Sequence, residues 1–263
     1  MPMMLVFVAV AVLTGQASAP TLTREQMAHF LLTARVVKAH SVSKGVTGPR
    51  RLTLTDGVLT HDAAFSAVEQ QLPIMRFADG HAELNFVDSY RYTLAAYAVA
   101  GLVGLDTMMP VTVPRTWDRQ PGALAWWLDV KMDEGDRLKR KIPPPDQDAW
   151  ARQMHRMHVF TALVNDTDRN VGNILIDADW KIWMIDFTRA FRRSHELLPN
   201  LGLTRIDAHL LAHLRTLTAA DVTRATTPYL APGEVEAVMA RRDALVALFD
   251  GLVAKQGRTH VLY

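Results

Sequence analysis

The spacing of apolar residues changes about half-way along the chain. In the first half, segments such as RRLTLTDGVLT, which begins at Arg50, alternate apolar and polar residues or are rich in β-branched ones, as strands are. In the second half, apolar residues recur at helical spacing from Asp148 to Val164 and in most of the chain after Ile206. An apolar content of 49% in 263 residues is enough to form the cores of two lobes. The pattern predicts an α+β fold with a sheet-rich first part and a helical second part.

Local signals place the individual elements. A short helix is expected to start near Thr23, and a three-stranded antiparallel meander is expected within residues 34–70, where the third strand is read as HDAAFSAVEQ. A helix with Asp88 as its N-cap is expected to end at Gly104, followed by the strands VTVPRTW and ALAWWLDV. After the helix that ends at Val164, ILID and KIWMID predict a short hairpin.

Two boundaries follow from composition. The polar, proline-rich segment MDEGDRLKRKIPPPD predicts an exposed hinge between an N-lobe, residues 20–130, and a C-lobe, residues 131–263. Residues 1–19 contain the apolar run LVFVAVAVL and then an A-x-A pattern, which predicts a signal peptide and an exported protein. The alternative is a buried N-terminal element in a cytoplasmic protein, because the first residues carry no Lys or Arg. The run is too short for a stable membrane span.

Composition also excludes several classes of function. The absence of cysteine excludes disulfide scaffolds, thiol catalysis and Cys-ligated zinc. A net charge of +2, with no basic stripe interleaved with aromatic residues, gives no sign of nucleic-acid binding. His209 and His213 have the spacing of many metal ligands on a helix, but HLLAH lacks the glutamate of a zinc hydrolase, so a surface position is favoured.

The segment NDTDRNVGNILIDADWKIWMIDF, residues 165–187, places carboxylates and amides between two apolar runs. Asp168 and Asn173 flank a loop and can converge on one point, and Asp186 follows the second strand of the predicted hairpin. Phosphoryl transfer needs a carboxylate at the acceptor hydroxyl and oxygen ligands for a hard cation on the phosphates. The alternative is that these residues only form turns and cap helices.

The pattern D-x-x-x-x-N, followed by a strand pair and Ile-Asp-Phe, resembles the catalytic and metal-binding loops of the protein-kinase-like fold. Because His-Arg-Asp is absent, it is closer to atypical members: phosphoinositide kinases, HipA-type kinases and secretory-pathway kinases. The resemblance implies a bilobal kinase-like fold that binds ATP and Mg²⁺, or Mn²⁺. It also implies that Asp168 is the catalytic-loop aspartate and that Asn173 and Asp186 are metal ligands. Thr188 stands where many kinases have glycine.

The match fails on the third strand, where kinases carry a phosphate-binding lysine. No lysine occurs between Lys44 and Lys131, and Ser66 stands near the expected position. A cation that replaces this lysine is expected on the first two strands or in the loop between them. The glycines of that loop could let backbone amides approach phosphate. The nucleotide-binding candidates are Lys38, Lys44, Gly45, Arg50 and Arg51. Each could instead be an ordinary surface or turn residue.

Four further candidates have weaker support. Trp127 leads into the predicted hinge, where an indole ring would meet an adenine, although core packing is its ordinary role. Asp88 is either an acidic partner for a cation or an N-cap. Asn170 lies inside the acidic loop, and Arg189 follows Asp186 towards the expected acceptor site, where it would meet an acidic or phosphorylated group.

Three functional hypotheses remain open. The first is an ATP- and Mg²⁺-dependent phosphotransferase of the atypical kinase type, whose acceptor is a protein or a small molecule. The second is a catalytically silent pseudokinase that binds a nucleotide or a partner protein. The third is an exported helical binding protein whose acidic loop only caps helices.

Overall fold

The computed structural model describes residues 22–41, 49–77, 80 and 82–263. Within them the strands, in chain order, are β1 (Arg35–Ser41), β2 (Arg50–Thr55), β3 (Thr60–Ser66), β4 (Glu69–Arg76), β5 (Ala82–Ser89), β6 (Thr112–Trp117), β7 (Gln120–Trp126), β8 (Met132–Asp133), β9 (Ile174–Ile176) and β10 (Ile182–Met184). The α-helices are α1 (Arg24–Thr33), α2 (Tyr90–Leu102), α3 (Glu134–Lys139), α4 (Gln147–Val164), α5 (Ala208–Thr216), α6 (Ala219–Thr226), α7 (Pro232–Gln256) and α8 (Arg258–Val261). The predicted leader, residues 1–19, lies outside the described residues.

The main sheet of the N-terminal part is antiparallel, with the strand order β1-β2-β3-β7-β6. Successive side chains of β2 and β3 point to opposite faces of the sheet. One face carries Leu52, Leu54 and Phe65, which are buried in a core that includes Leu31 of α1. The meander and the α1 helix, which begins at the predicted Thr23 cap, are confirmed.

The second face of the sheet is polar. Thr53 lies opposite Asp62, and Arg51 lies opposite Ala64, so their side chains share this face. A cleft of about 420 Å³ opens here, and its lining includes Arg51, Asp62 and Trp127. Because α1 covers the apolar face, the polar face is the one left for a ligand.

The hairpin of β4 and β5 was not predicted. The third strand ends at Ser66, so its predicted extension to Gln70 was wrong, and the following residues open the hairpin, whose strands pair from Glu69 with Ser89. The predicted Asp88 N-cap was also wrong, because α2 is capped by Ser89, whose hydroxyl accepts the N–H of Arg91. Asp88 is the last but one residue of β5, where strand alternation turns its side chain away from that of the capping serine.

The C-terminal part is helical around a core that contains Phe160, Phe187 and Phe249. Arg241 of α7 is fully buried there, and its guanidinium donates to the carbonyl of Leu163 in α4 (2.9 Å) and to that of Arg192 (2.9 Å). Burial lowers the pKa of Arg241 to about 10. This side chain therefore fixes the end of α4 against the segment that follows Asp186.

The predicted exposed hinge at residues 132–146 was wrong in part. Its first residues form β8, which joins the sheet of order β10-β9-β8, and then α3. Glu134 is buried and bonded to Arg137 at 2.6 Å, because a carboxylate at the first turn of a short helix needs a cation partner when water is excluded. The predicted hairpin of β9 and β10 is confirmed.

Among the residues that the structure describes, none of the helices combines the length and the apolarity that crossing a membrane requires.

Candidate active site

The loop that carries Asp168 starts at the end of α4. The helix ends at Asn165, which adopts a left-handed conformation (φ 48°), the backbone geometry that asparagine tolerates better than most residues. Asp166 follows and is buried, whereas Asp168 is exposed. One Asp166 carboxylate oxygen accepts the backbone N–H of Asp168 at 3.2 Å, so the buried acid shapes the turn that presents the exposed one.

Arg169 joins this loop to the strand end that carries Asp186. Its guanidinium lies 2.5 Å from the buried carboxylate of Asp166. It also donates to the carbonyls of Asn173 (3.0 Å) and Ile185 (2.6 Å). The plane of the guanidinium lies over the Phe187 ring, with 4.2 Å between its carbon and the ring centroid. Burial raises the pKa of Asp166, and the charge on Arg169 opposes that shift.

Asp186 is exposed and has a left-handed backbone (φ 56°), which side-chain-bearing residues adopt rarely, although aspartate and asparagine do so more often than most. One of its carboxylate oxygens accepts the hydroxyl of Thr188 at 3.0 Å. The Thr188 carbonyl in turn accepts the N–H of Ser89 at 2.9 Å, so the start of α2 contacts the same turn.

Asp88 faces this turn from β5. It is 8% exposed, and its Oδ1 atom has no hydrogen-bond partner within the described ranges. Burial raises the pKa of the Asp88 carboxyl, and the negative charges of Asp186 and Asp168 add to that shift. Three carboxylates, Asp88, Asp168 and Asp186, therefore act on one another electrostatically.

Asn173 and Asn170 have different roles in the loop. The amide nitrogen of buried Asn173 donates to the carbonyl of Asp168 at 3.1 Å, which leaves its amide oxygen as the group available to a cation. Asn170 caps a 3₁₀ turn (Val171–Asn173) by accepting the N–H of Gly172 at 2.9 Å, and it donates to the carbonyl of Asp168. The contacts of Asn170 are thus those of a turn residue.

The donor set suits a divalent cation that also binds phosphate. No cluster of three or more His, Cys, Asp or Glu side chains in the described parts of the chain is arranged to hold a metal ion by itself. A cation on a nucleotide does not need such a cluster, because phosphates and water fill most of its coordination sphere and the protein adds one or two ligands. The Asp186 carboxylate and the Asn173 amide oxygen fit that requirement.

Comparisons with known proteins bear on the fold of the chain. No family model matches the sequence. A stretch of 56 residues is 43% identical to a 3-deoxy-D-manno-octulosonic acid kinase of Vibrio cholerae, but it spans only 21% of this chain and about a fifth (20%) of that relative. The hydra Fam20 structure with sugar superimposes with a TM-score of 0.68 at 12% identity, over 91% of this chain and 92% of that one. A Golgi casein kinase with Mn and ADP bound superimposes with a TM-score of 0.62 at 13% identity, over 91% and 78%.

The chain has an atypical protein-kinase-like fold. The sheet-rich N-terminal and helical C-terminal parts predicted from the sequence are confirmed with it. Kinase-like order places β3 where the phosphate-binding lysine is expected, and Ser66 ends that strand opposite Ala123 of β7. Lys44 and Gly45 lie outside the described residues, and Lys38 is exposed on β1 opposite Thr53.

On the kinase-like sheet, Arg51 is not a free cation. Its guanidinium forms an ion pair with Asp62 (2.5 Å) and lies over the Trp127 ring, 4.3 Å from the centroid. Asp62 also accepts the Thr53 hydroxyl at 2.6 Å. Sequence reasoning missed Asp62, although it lies four residues before Ser66 in a strand and therefore on the same face.

Arg189 contacts an acidic group of the chain itself. Arg189 and Arg192, which follow Asp186, both pair with Glu83 of β5. Arg192 also donates to the carbonyl of Asn85 at 2.9 Å, and the Arg189 guanidinium lies over the Phe86 ring at 4.2 Å. The unpredicted β4–β5 hairpin thus packs against the segment that follows Asp186, and the role of Glu83 was missed because the hairpin was missed.

Proposed function

We propose that this protein is an ATP- and divalent-cation-dependent phosphotransferase of the atypical kinase type. The observation that carries the proposal is the pair of exposed carboxylates, Asp168 and Asp186, held on one support by the buried Arg169 within a kinase-like fold. A loop that only capped helices would not need a buried arginine that joins two exposed acids.

Asp168 would orient the acceptor hydroxyl and accept its proton. Its carboxylate is exposed, while its backbone is fixed by Asp166 and by the Asn173 amide. Such a group can meet an incoming hydroxyl without rearranging the loop. Asn173 and Asp186 would hold Mg²⁺ or Mn²⁺, which when bound neutralises charge on the transferred phosphoryl group.

The nucleotide base would enter the cleft on the polar face of the sheet. The backbone groups of Trp127 are already used there, because its N–H donates to the carbonyl of Asp62 and its carbonyl contacts the His61 ring. Recognition would therefore rely on the indole ring, which is half-buried, rather than on the Trp127 backbone. Lys38 and Arg51 are the cations on this face, and the similar Golgi casein kinase has been solved with Mn and ADP.

The acceptor would be an alcohol on a sugar or a protein. The partial relative is named for a sugar acid, one similar structure contains a sugar, and another is named for casein. Both classes offer a hydroxyl from which Asp168 would accept a proton.

A catalytically silent nucleotide-binding module is the second candidate. It is favoured by one observation: Ser66 ends the strand where a lysine is expected, and the nearby Arg51 is neutralised by Asp62. Such a module would bind a nucleotide at the same site without turnover.

Thermal unfolding of this protein with ATP and Mg²⁺ tests the proposal. Thermal unfolding should shift upwards with nucleotide and cation, because a ligand that binds only the folded state stabilises it. Asp186→Ala should remove the shift, whereas Asp179→Ala, which changes an exposed acid in the β9–β10 turn, should retain it. ATP turnover that disappears in Asp168→Ala supports the phosphotransferase. Binding without turnover would support the silent module, and no shift at millimolar nucleotide would contradict both.

A further inference from the structure

Thr188 occupies a position where many kinases have glycine, yet its side chain is almost fully buried, with 6% exposed. Its hydroxyl donates to the Asp186 carboxylate at 3.0 Å. Its carbonyl accepts the N–H of Ser89, the residue that caps α2. Thr188 therefore contacts a candidate metal ligand with its side chain and the start of α2 with its backbone.

We propose that Thr188 is a positioning residue, whose hydroxyl fixes the Asp186 carboxylate in the orientation that binds a divalent cation. The inference rests on the proposed function, because it gives Asp186 the role of metal ligand. It concerns a residue that the kinase resemblance does not assign, since glycine has no side chain to do this.

The environment of Asp186 makes such a hydrogen bond consequential. Asp186 is exposed and has a left-handed backbone, so packing does not hold its carboxylate. The hydroxyl engages one carboxylate oxygen, Oδ1, and leaves the other for a cation. Groups that hydrogen-bond to a ligating side chain orient it, and their removal weakens metal binding even though they do not touch the metal.

A second carboxylate competes for the same hydroxyl hydrogen. Asp88 also approaches the Thr188 side chain, and a hydroxyl can donate to only one carboxylate at a time. The recorded geometry gives the hydrogen to Asp186 and leaves Oδ1 of Asp88 without a partner among the described residues. If Thr188 positions a metal ligand, its hydroxyl must donate to the exposed Asp186 rather than to the buried Asp88, as it does.

Two substitutions separate the hydroxyl from the shape of the side chain. Thr188→Val keeps the shape and loses the hydroxyl, and Thr188→Ser keeps the hydroxyl. With Mn²⁺ as the probe in the presence of ADP, and free Mn²⁺ counted by its electron paramagnetic resonance signal, we expect Thr188→Val to weaken Mn²⁺ affinity about 10- to 100-fold and Thr188→Ser to change it less than about threefold. Thr167→Val is the matched control, because this exposed hydroxyl of the same loop bonds only a carbonyl, that of Arg189.

Each outcome decides the inference. Wild-type affinity in Thr188→Val, together with loss of binding in Asp186→Ala, would overturn the role of Thr188 and leave the proposed function intact. Equal losses in Thr188→Val, which keeps the methyl group, and Thr188→Ser, which keeps the hydroxyl, would show that the hydroxyl is not what sets Mn²⁺ affinity and would also overturn it. Absence of Mn²⁺ binding to the wild-type protein with ADP would overturn both proposals. If Thr188→Val does not fold, as judged by thermal unfolding, Thr188→Ala is compared with Thr188→Ser on the same criteria.

Discussion

Two aspartate–arginine ion pairs lie on the two sides of the candidate active site, and they differ in environment rather than in distance. Asp166 and Arg169 in the loop that carries Asp168 are 2.5 Å apart, with 0% and 5% of their side chains exposed. Asp62 and Arg51 on the sheet are also 2.5 Å apart, with 22% and 44% exposed. A buried pair leaves a costly charge when it is broken, whereas an exposed pair exchanges readily with water. We therefore expect the Asp168-loop side to be rigid and the sheet side to adjust to a ligand.

The largest expected effect is on the rigid side. Asp166→Ala should lower the free energy of unfolding by about 3–5 kcal/mol, because it leaves the Arg169 guanidinium buried without its anion. Urea unfolding followed by circular dichroism measures this change. Asp179→Ala, an exposed acid outside the site, should stay within about 0.5 kcal/mol of the wild type. A loss below about 1 kcal/mol in Asp166→Ala would show that the pair does not hold the loop.

On the adjustable side, the expected effect is on ligand binding. Trp127→Ala should weaken ADP binding by about 1–3 kcal/mol, the contribution of a stacked aromatic ring to a base, with little change in the unfolding midpoint. Isothermal titration calorimetry with ADP and Mg²⁺ measures the affinity.

The neighbouring tryptophan provides the control. Trp126 stacks on His61 with 3.8 Å between ring centroids and packs edge-on against Phe30 of α1. Trp126→Ala should therefore lower stability, by up to about 3–5 kcal/mol. If Trp127→Ala destabilised the fold as Trp126→Ala does, without a specific loss of affinity, Trp127 would be a core residue and the base would lie elsewhere.

The same contrast explains what the sequence could predict. The segment from Asp168 to Asp186 is continuous, and its residue types and spacing are set by chemistry, so its elements could be read directly. Arg169 lies in that segment and Thr188 lies two residues after it, but the partners of both depend on how two loops meet, which spacing does not reveal. Asp62 of the main sheet pairs with Arg51 of the neighbouring strand, and Glu83 belongs to a hairpin that periodicity did not identify.

Errors at element ends have a similar cause. The Asp88 cap was predicted because aspartate before an apolar helical run usually caps it. Strand β5 continues to Ser89, which caps the helix instead, and its pairing with Glu69 is a contact over twenty residues that no local pattern contains. Likewise, residues 132–139 were read as exposed because they are polar. The Glu134 carboxylate can be buried there because it pairs with Arg137.

A smaller effect is expected at Asp88, which faces the Asp186 turn from β5. Its raised pKa means that the folded protein favours the protonated carboxyl, so the ionised group lowers stability at neutral pH. The destabilisation by the ionised Asp88 carboxylate decreases as the pH falls through the raised pKa. It disappears below the ordinary aspartate pKa near 4. Asp88→Asn should therefore stabilise the fold at pH 7 by about 0.5–2 kcal/mol, as single stabilising substitutions do.

The pH dependence of that gain is the test. Thermal unfolding of both proteins from pH 7 to pH 4 should show the difference between them shrinking as the pH falls.

The lowered pKa of Asp207 gives a control of opposite sign. Burial alone would raise that pKa, but hydrogen bonds from Arg156 and from backbone N–H groups hold it below the ordinary value. Asp207→Asn should therefore destabilise the fold at pH 7. A constant gain for Asp88→Asn at all pH values would mean that its carboxylate is not strained in the fold.

The smallest expected effect is on the stability of the exposed pair. Asp62→Asn should change the free energy of unfolding by no more than about 1 kcal/mol, because Arg51 remains half in water and needs no anion.

The effect of Asp62→Asn on ligand binding should nevertheless be measurable. If the phosphates approach this face, removal of a carboxylate that both repels them and neutralises Arg51 should tighten ADP binding. The gain should diminish at high salt, because the charges involved are exposed. Arg51→Met should have the opposite sign. Unchanged affinity in both variants would place the phosphates away from Arg51, and Lys38 or a cation outside the described residues would then have to replace the missing lysine of β3.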